Sequence, residues 1–155
     1  AHSDGPGKGS EFIVRLPALT KQDALAPSPV RAAAATPPAV RRVLVVDDDL
    51  AVADGFSMLL ESMGQDVHVV HDGAAAVDAT VRLDPSIVFI DINMPRMDGY
   101  ETARRIRALP GSETRRLVAL TGFGLASVES RMRDAGFDHY LSKPAQPEDL
   151  ERLLA

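Results

Sequence analysis

The chain has 155 residues, 45% hydrophobic and 25% charged, enough for one domain with a buried core and some chain to spare. It carries no cysteine, which excludes disulfides and thiolate chemistry, and its net charge of -5 argues against a nucleic-acid backbone as the main partner. No apolar run approaches the roughly 18 residues of a membrane span and no signal peptide is visible, so a cytoplasmic location without direct membrane contact is expected.

The first residues stand apart from the rest. Gly5 to Ser10 is glycine-rich, but Gly9 follows Lys8 where a phosphate-gripping loop needs Ser or Thr. Glu11 to Pro17 then alternates like a strand. Residues 1–17 resemble the last turn and strand of the ATP-binding domain of sensor histidine kinases; a vector-encoded Gly-Ser-Glu-Phe scar is the alternative. Neither contains an ATP site. Residues 18–40 shift to Ala and Pro, with Pro27, Pro29, Pro37 and Pro38 forbidding a regular helix, and read as a semi-rigid linker.

From Arg41 onward strand and helix patterns alternate, the signature of a doubly wound α/β domain. Val43 to Val46, Ile87 to Ile90 and Leu117 to Leu120 are apolar throughout and predict central parallel strands; Asp66 to Val70 and Asp138 to Ser142 are mixed and belong at the edges. The predicted fold is a five-stranded parallel sheet of order 2-1-3-4-5 with helices on both faces. Val52, Phe56, Leu59, Leu60 and Met63 mark the face of a first helix, and Leu125, Val128, Met132 and Ala135 that of a fourth. Asp49 and Asp98 sit where helix N-caps are needed, and Pro147 suits the first position of a last helix through Leu154. No output domain is expected after it.

The chemistry gathers at strand ends. The first strand ends in Asp47-Asp48-Asp49, the third in Asp91, the fourth in Thr121, and the fifth runs into Lys143-Pro144. In the predicted order these ends converge on one pocket, where ligands of open α/β sheets bind. Two carboxylates about 4 Å apart repel by roughly 4 kcal/mol at an effective dielectric of 20, so a divalent cation is the natural relief, and an oxygen-only ligand set suits Mg²⁺. Asp91 is then a candidate nucleophile toward phosphorus, with Lys143 and Thr121 to contact the phosphoryl oxygens. His68, His71 and His139 show no ligand spacing and read as surface residues. A calcium loop opening at Asp91 is discarded, because Arg96 occupies the position that requires Gly.

On these residues, 41–155 resemble the receiver domain of two-component response regulators, a flavodoxin-like fold. The resemblance implies that Asp91 is the phosphoacceptor and that Asp47 and Asp48 are the acidic pair. Mg²⁺ would then be held by Asp47, Asp48, Asp91 and the Asn93 backbone carbonyl. It implies a switch hydroxyl at Thr121, a phosphate-contacting Lys143, an inward-swinging aromatic at Tyr140, and a cis Lys143-Pro144 bond. With the kinase-like start, the chain resembles the C-terminal receiver of a hybrid histidine kinase. Its partner would be the phosphohistidine domain of the same or a cognate kinase, or a histidine phosphotransfer protein. Asn93 and Phe123 are candidate modulators, Phe123 by hindering the water that hydrolyses the phosphoryl group. Such a module is a signalling switch rather than an enzyme. Two alternatives stay open. One is a phosphorylation-silent docking module; the other is a phosphatase resembling the haloacid dehalogenase type, with Asp47 as nucleophile and Asp91 unused.

Overall fold

A computed structural model describes residues 40–122 and 129–155. The kinase-like segment 1–17, the linker 18–39 and Phe123 lie outside the described residues. In chain order the elements are β1 (Arg42–Val46), α1 (Leu50–Ser62), β2 (Asp66–Val70), α2 (Gly73–Leu83), β3 (Ile87–Asp91), α3 (Gly99–Arg107), a 3-10 turn (Ser112–Thr114), β4 (Arg116–Thr121), α4 (Glu129–Asp134), β5 (His139–Ser142) and α5 (Pro147–Leu154). The strands form one sheet of order β2-β1-β3-β4-β5, every pair parallel. The predicted order is therefore the observed one.

Successive side chains of a strand point to opposite faces, and β1, β3 and β4 are apolar on both, so each supplies two layers of core. Leu44, Val46, Val88, Ile90, Leu117 and Ala119 pack with Ala76 and Ala79 of α2, Ala103 and Ile106 of α3 and Met132 of α4. Their neighbours Val43, Val45, Ile87, Phe89, Val118 and Leu120 pack on the other face with Leu60 of α1 and Leu150, Leu153 and Leu154 of α5. Phe56 meets Phe89 edge-on with ring centroids 5.1 Å apart. Each fully buried Leu, Ile, Val or Phe contributes about 1.5–3 kcal/mol relative to exposure. The result is a rigid frame for the strand ends.

The caps are where the sequence places them. Asp49 accepts from the amides of Ala51 and Val52 to start α1, and Asp98 accepts from Glu101 N at 2.8 Å to start α3. Gly64, at φ 81°, ends α1. The predicted face of α1 packs on the core through Leu60, Phe56, Leu59 and Met63, and differs from prediction at Val52 alone. Val52 is 42% exposed, and the buried stripe of α1 is Ala53, Ser57 and Leu60, because small side chains let the helix lie close to the sheet. Leu125 and Val128 lie outside the described residues; Met132 and Ala135 are buried as predicted.

At the sheet's other end, Arg41 Nη2 donates to the Ala155 carbonyl at 2.8 Å and the Arg116 guanidinium donates to the Leu153 carbonyl. These two cations close the C-terminus of α5, where carbonyls lack helical partners and the helix dipole favours positive charge.

Candidate functional site: an acidic pocket at the strand ends

Because all five strands run the same way, the C-terminal residues of β1, β3 and β4 share one edge. Asp47 follows β1 and is 1% exposed, Asp91 closes β3 at 6%, and Thr121 closes β4 at 2%; Asp48 is exposed. Carboxylate oxygens of Asp47, Asp48 and Asp91 lie within 4.8 Å of one another. Lys143, on the segment after β5, reaches into this group. Its Nζ lies 2.5 Å from Asp47 Oδ2 and 3.0 Å from Asp91 Oδ1. The Lys143-Pro144 bond is cis, as the family resemblance implies, and the Lys143 amide donates to the Thr121 carbonyl at 2.8 Å.

Asp47 is held on every side. Its Oδ1 accepts from the Asp49 amide at 3.0 Å, its own amide donates to the Val70 carbonyl at 3.2 Å, and its carbonyl accepts from His71 Nδ1 at 3.1 Å. The nucleophile candidate is poised differently. Burial pushes the Asp91 carboxyl above the usual carboxylate range; the Lys143 hydrogen bond pulls it down, and the charges of Asp47 and Asp48 add to the rise. For Lys143, burial disfavours the ammonium, but its bonds to Asp47 and Asp91 outweigh that and hold it above the usual lysine value. The lysine stays charged.

A loop of turn formers completes the edge. Gly99 opens α3 with its amide donating to the Ile92 carbonyl at 3.0 Å, and a Cβ there would stand 2.4 Å from the Asp91 carbonyl oxygen. This is a packing requirement beneath Asp91, beyond the freedom that a turn asks of a glycine. Asn93 is exposed beside Asp91 and, with Met94, Asp98, Tyr100, Thr121 and Arg131, lines a cleft of about 330 Å³. Tyr140, on the edge strand β5, is 36% exposed. His71 is exposed as predicted, but its bond to Asp47 was not foreseen.

Among the described residues, three clustered carboxylates against a single ammonium leave excess negative charge, and their oxygen-only donors suit a divalent cation such as Mg²⁺. The sequence profile of the response regulator receiver domain matches residues 43–155, most of the chain. The chain belongs to the receiver domain family. It is a signalling module of two-component systems, and receiver domains bind Mg²⁺ at this acidic pocket and work with histidine kinases or phosphotransfer proteins. Similar proteins agree. The response regulator MprA of Mycobacterium avium is 38% identical over 114 residues, which is 74% of this chain and 48% of MprA. The DNA-binding dual master transcriptional regulator RpaA of Synechocystis is 33% identical over 74% of this chain and 46% of its own length. The chain thus spans about half the length of these two relatives. The receiver domain of the sensor histidine kinase PA1611 from Pseudomonas aeruginosa, solved with a magnesium ion in its active-site cleft, superposes with a TM-score of 0.68. It is 31% identical, the match covering 75% of this chain and 95% of that one.

Proposed function

We propose that this receiver is a phosphoacceptor switch in which Asp91 takes a phosphoryl group from a phosphohistidine. One observation carries the proposal: Asp91 stands at the C-terminal end of β3 with Oδ1 3.0 Å from the Lys143 ammonium and two further carboxylates beside it. In the transfer an Asp91 oxygen attacks phosphorus, the new P–O bond forms, and the P–N bond to the donor imidazole breaks. Lys143 is positioned to offset the phosphoryl charge, and the Thr121 hydroxyl to hydrogen-bond a phosphoryl oxygen. Mg²⁺, held by Asp47, Asp48, Asp91 and the Asn93 carbonyl, would supply the remaining positive charge. Thr121 and Tyr140 then carry the switch to the β5 edge. Asp47 is a poor nucleophile by comparison, since both its oxygens are engaged and it is 1% exposed, which weighs against the phosphatase alternative.

The wider setting belongs to the same proposal. The chain is the receiver of a hybrid histidine kinase, with residues 1–17 from the kinase ATP-binding domain and 18–40 the linker before the receiver at 41–155. It works in the cytoplasm, and its donor is the kinase's own phosphohistidine domain or a histidine phosphotransfer protein. Likeness to the PA1611 receiver supports this, as does the net charge of -5, which disfavours direct nucleic-acid binding by this chain. Intact and peptide mass spectrometry after incubation with acetyl phosphate tests the central step. A Mg²⁺-dependent gain of one phosphoryl group on the Asp91 peptide, lost in Asp91→Asn, is expected. Label on Asp47 would favour the phosphatase, and no label with either acetyl phosphate or a phosphohistidine donor would favour the docking module.

A further inference from the structure

The weakly held member of the acid cluster is Asp48. Lys143 and the Asp49 amide hold the Asp47 carboxylate and Lys143 holds that of Asp91, but among the described residues no hydrogen bond reaches the exposed Asp48 carboxylate. Where that carboxylate can reach is therefore set by its backbone and its own rotamers, with no side-chain partner among the described residues to hold it. The Asp47 carbonyl and the Asp48 amide belong to one planar peptide unit, so fixing the carbonyl fixes the plane from which the Asp48 side chain departs. The group that fixes it is His71, on the loop between β2 and α2, whose Nδ1 lies 3.1 Å from that carbonyl oxygen. A carbonyl only accepts, so the ring must carry its proton on Nδ1. The Asp47 amide is already tied to Val70 at 3.2 Å, so the adjoining β2 end holds both backbone polar groups of this residue.

We propose that His71 is a positioning residue for the divalent-cation site: its Nδ1–H bond sets the Asp47-Asp48 peptide plane and so aims the Asp48 carboxylate into the cluster. The proposal rests on the reading of the acidic pocket as a Mg²⁺ site and is independent of phosphoryl transfer. Residues that orient metal ligands by hydrogen bonding typically change affinity by about 10- to 100-fold; His71 acts one peptide away from the carboxylate, so a smaller loss, about 3- to 10-fold, is expected.

The test is calorimetric titration of the whole chain with Mg²⁺ alone, without a phosphodonor. His71→Ala should weaken binding by that factor, and His71→Asn, whose amide nitrogen can stand where Nδ1 stands, should restore it to within about twofold. Unchanged affinity in His71→Ala, or equal weakening in both variants, would overturn the proposal, the latter because packing rather than the donor would then be responsible. A merely structural role would lower the metal-free melting temperature and leave Mg²⁺ affinity alone. Should His71→Ala fail to fold, long-range ¹H–¹⁵N spectra of the metal-free wild type decide: a proton on Nδ1 is required, and a ring protonated at Nε2 alone refutes it. A wild type that binds no Mg²⁺ sinks this proposal together with the metal site. One that binds Mg²⁺ but accepts no phosphoryl group sinks only the proposed function.

Discussion

Replacing Asp91 by Asn should make the metal-free protein more stable, although it removes the residue on which the proposed chemistry depends. Asn keeps the shape and removes the charge. Oxygens of Asp47 and Asp48 lie within 4.8 Å of those of Asp91, so at an effective dielectric of 20 the two repulsions cost about 3.5 kcal/mol each, the Asp48 share trimmed by solvent. The attraction of Lys143 at 3.0 Å returns about 5.5 kcal/mol. These nearly cancel, and burial of the carboxylate then tips the balance against the charged form, in line with its raised pKa. Asp91→Asn should therefore gain about 1–2 kcal/mol at neutral pH, a rise of roughly 3–8 °C in Tm for a domain of this size. Because the folded-state pKa is raised, the native protein takes up the proton more readily than the unfolded chain. Wild-type stability from this group is thus lost as pH rises through the raised value, and the gap between variant and wild type should open with rising pH and close below it. Thermal unfolding in excess chelator, followed by circular dichroism across this range, measures it. An unchanged or lower Tm for Asp91→Asn at neutral pH would refute the idea that the Asp91 carboxylate is held at a cost.

Charge balance at the pocket makes two further predictions, and the packing beneath Asp91 a third. Mg²⁺ should raise the Tm of the wild type, because it binds the folded cluster and not the unfolded chain, and should do so much less for Asp48→Ala; equal shifts would remove Asp48 from the metal site. Lys143→Ala leaves two buried carboxylates without their shared cation and should cost about 3–5 kcal/mol by denaturant unfolding, a loss that Asp91→Asn partly repairs in the double variant. Gly99→Ala drives a Cβ to 2.4 Å from the Asp91 carbonyl oxygen, so backbone must move. More than about 2 kcal/mol should be lost, with phosphorylation by acetyl phosphate slowed in whatever folds.

The fold was legible because its signals are redundant. Val43 to Val46, Ile87 to Ile90 and Leu117 to Leu120 read as central strands, and an acid or hydroxyl at each strand's end pointed to one edge. What escaped detection depends on backbone. His71 carries no ligand spacing because its partner is a carbonyl, and carbonyls are the same at every position of a sequence. Gly99 looks like any turn glycine until the Asp91 backbone is found pressed against it. The face of α1 was misjudged at Val52 for a related reason: hydrophobic spacing favours large side chains, whereas the closest approach to a sheet selects small ones such as Ala53 and Ser57.

The arginine closure of α5 has a consequence for how such a unit can be wired into longer polypeptides. Arg41, at the entrance to β1, and Ala155, after α5, are joined by one hydrogen bond of 2.8 Å at the end of the sheet remote from Asp91. Polypeptide grafted at either point starts from the same end of the sheet, about one strand length from the acidic pocket, which for five residues is roughly 16 Å. The module can therefore be spliced in by its tail or its head, with its acidic pocket facing away from the seam.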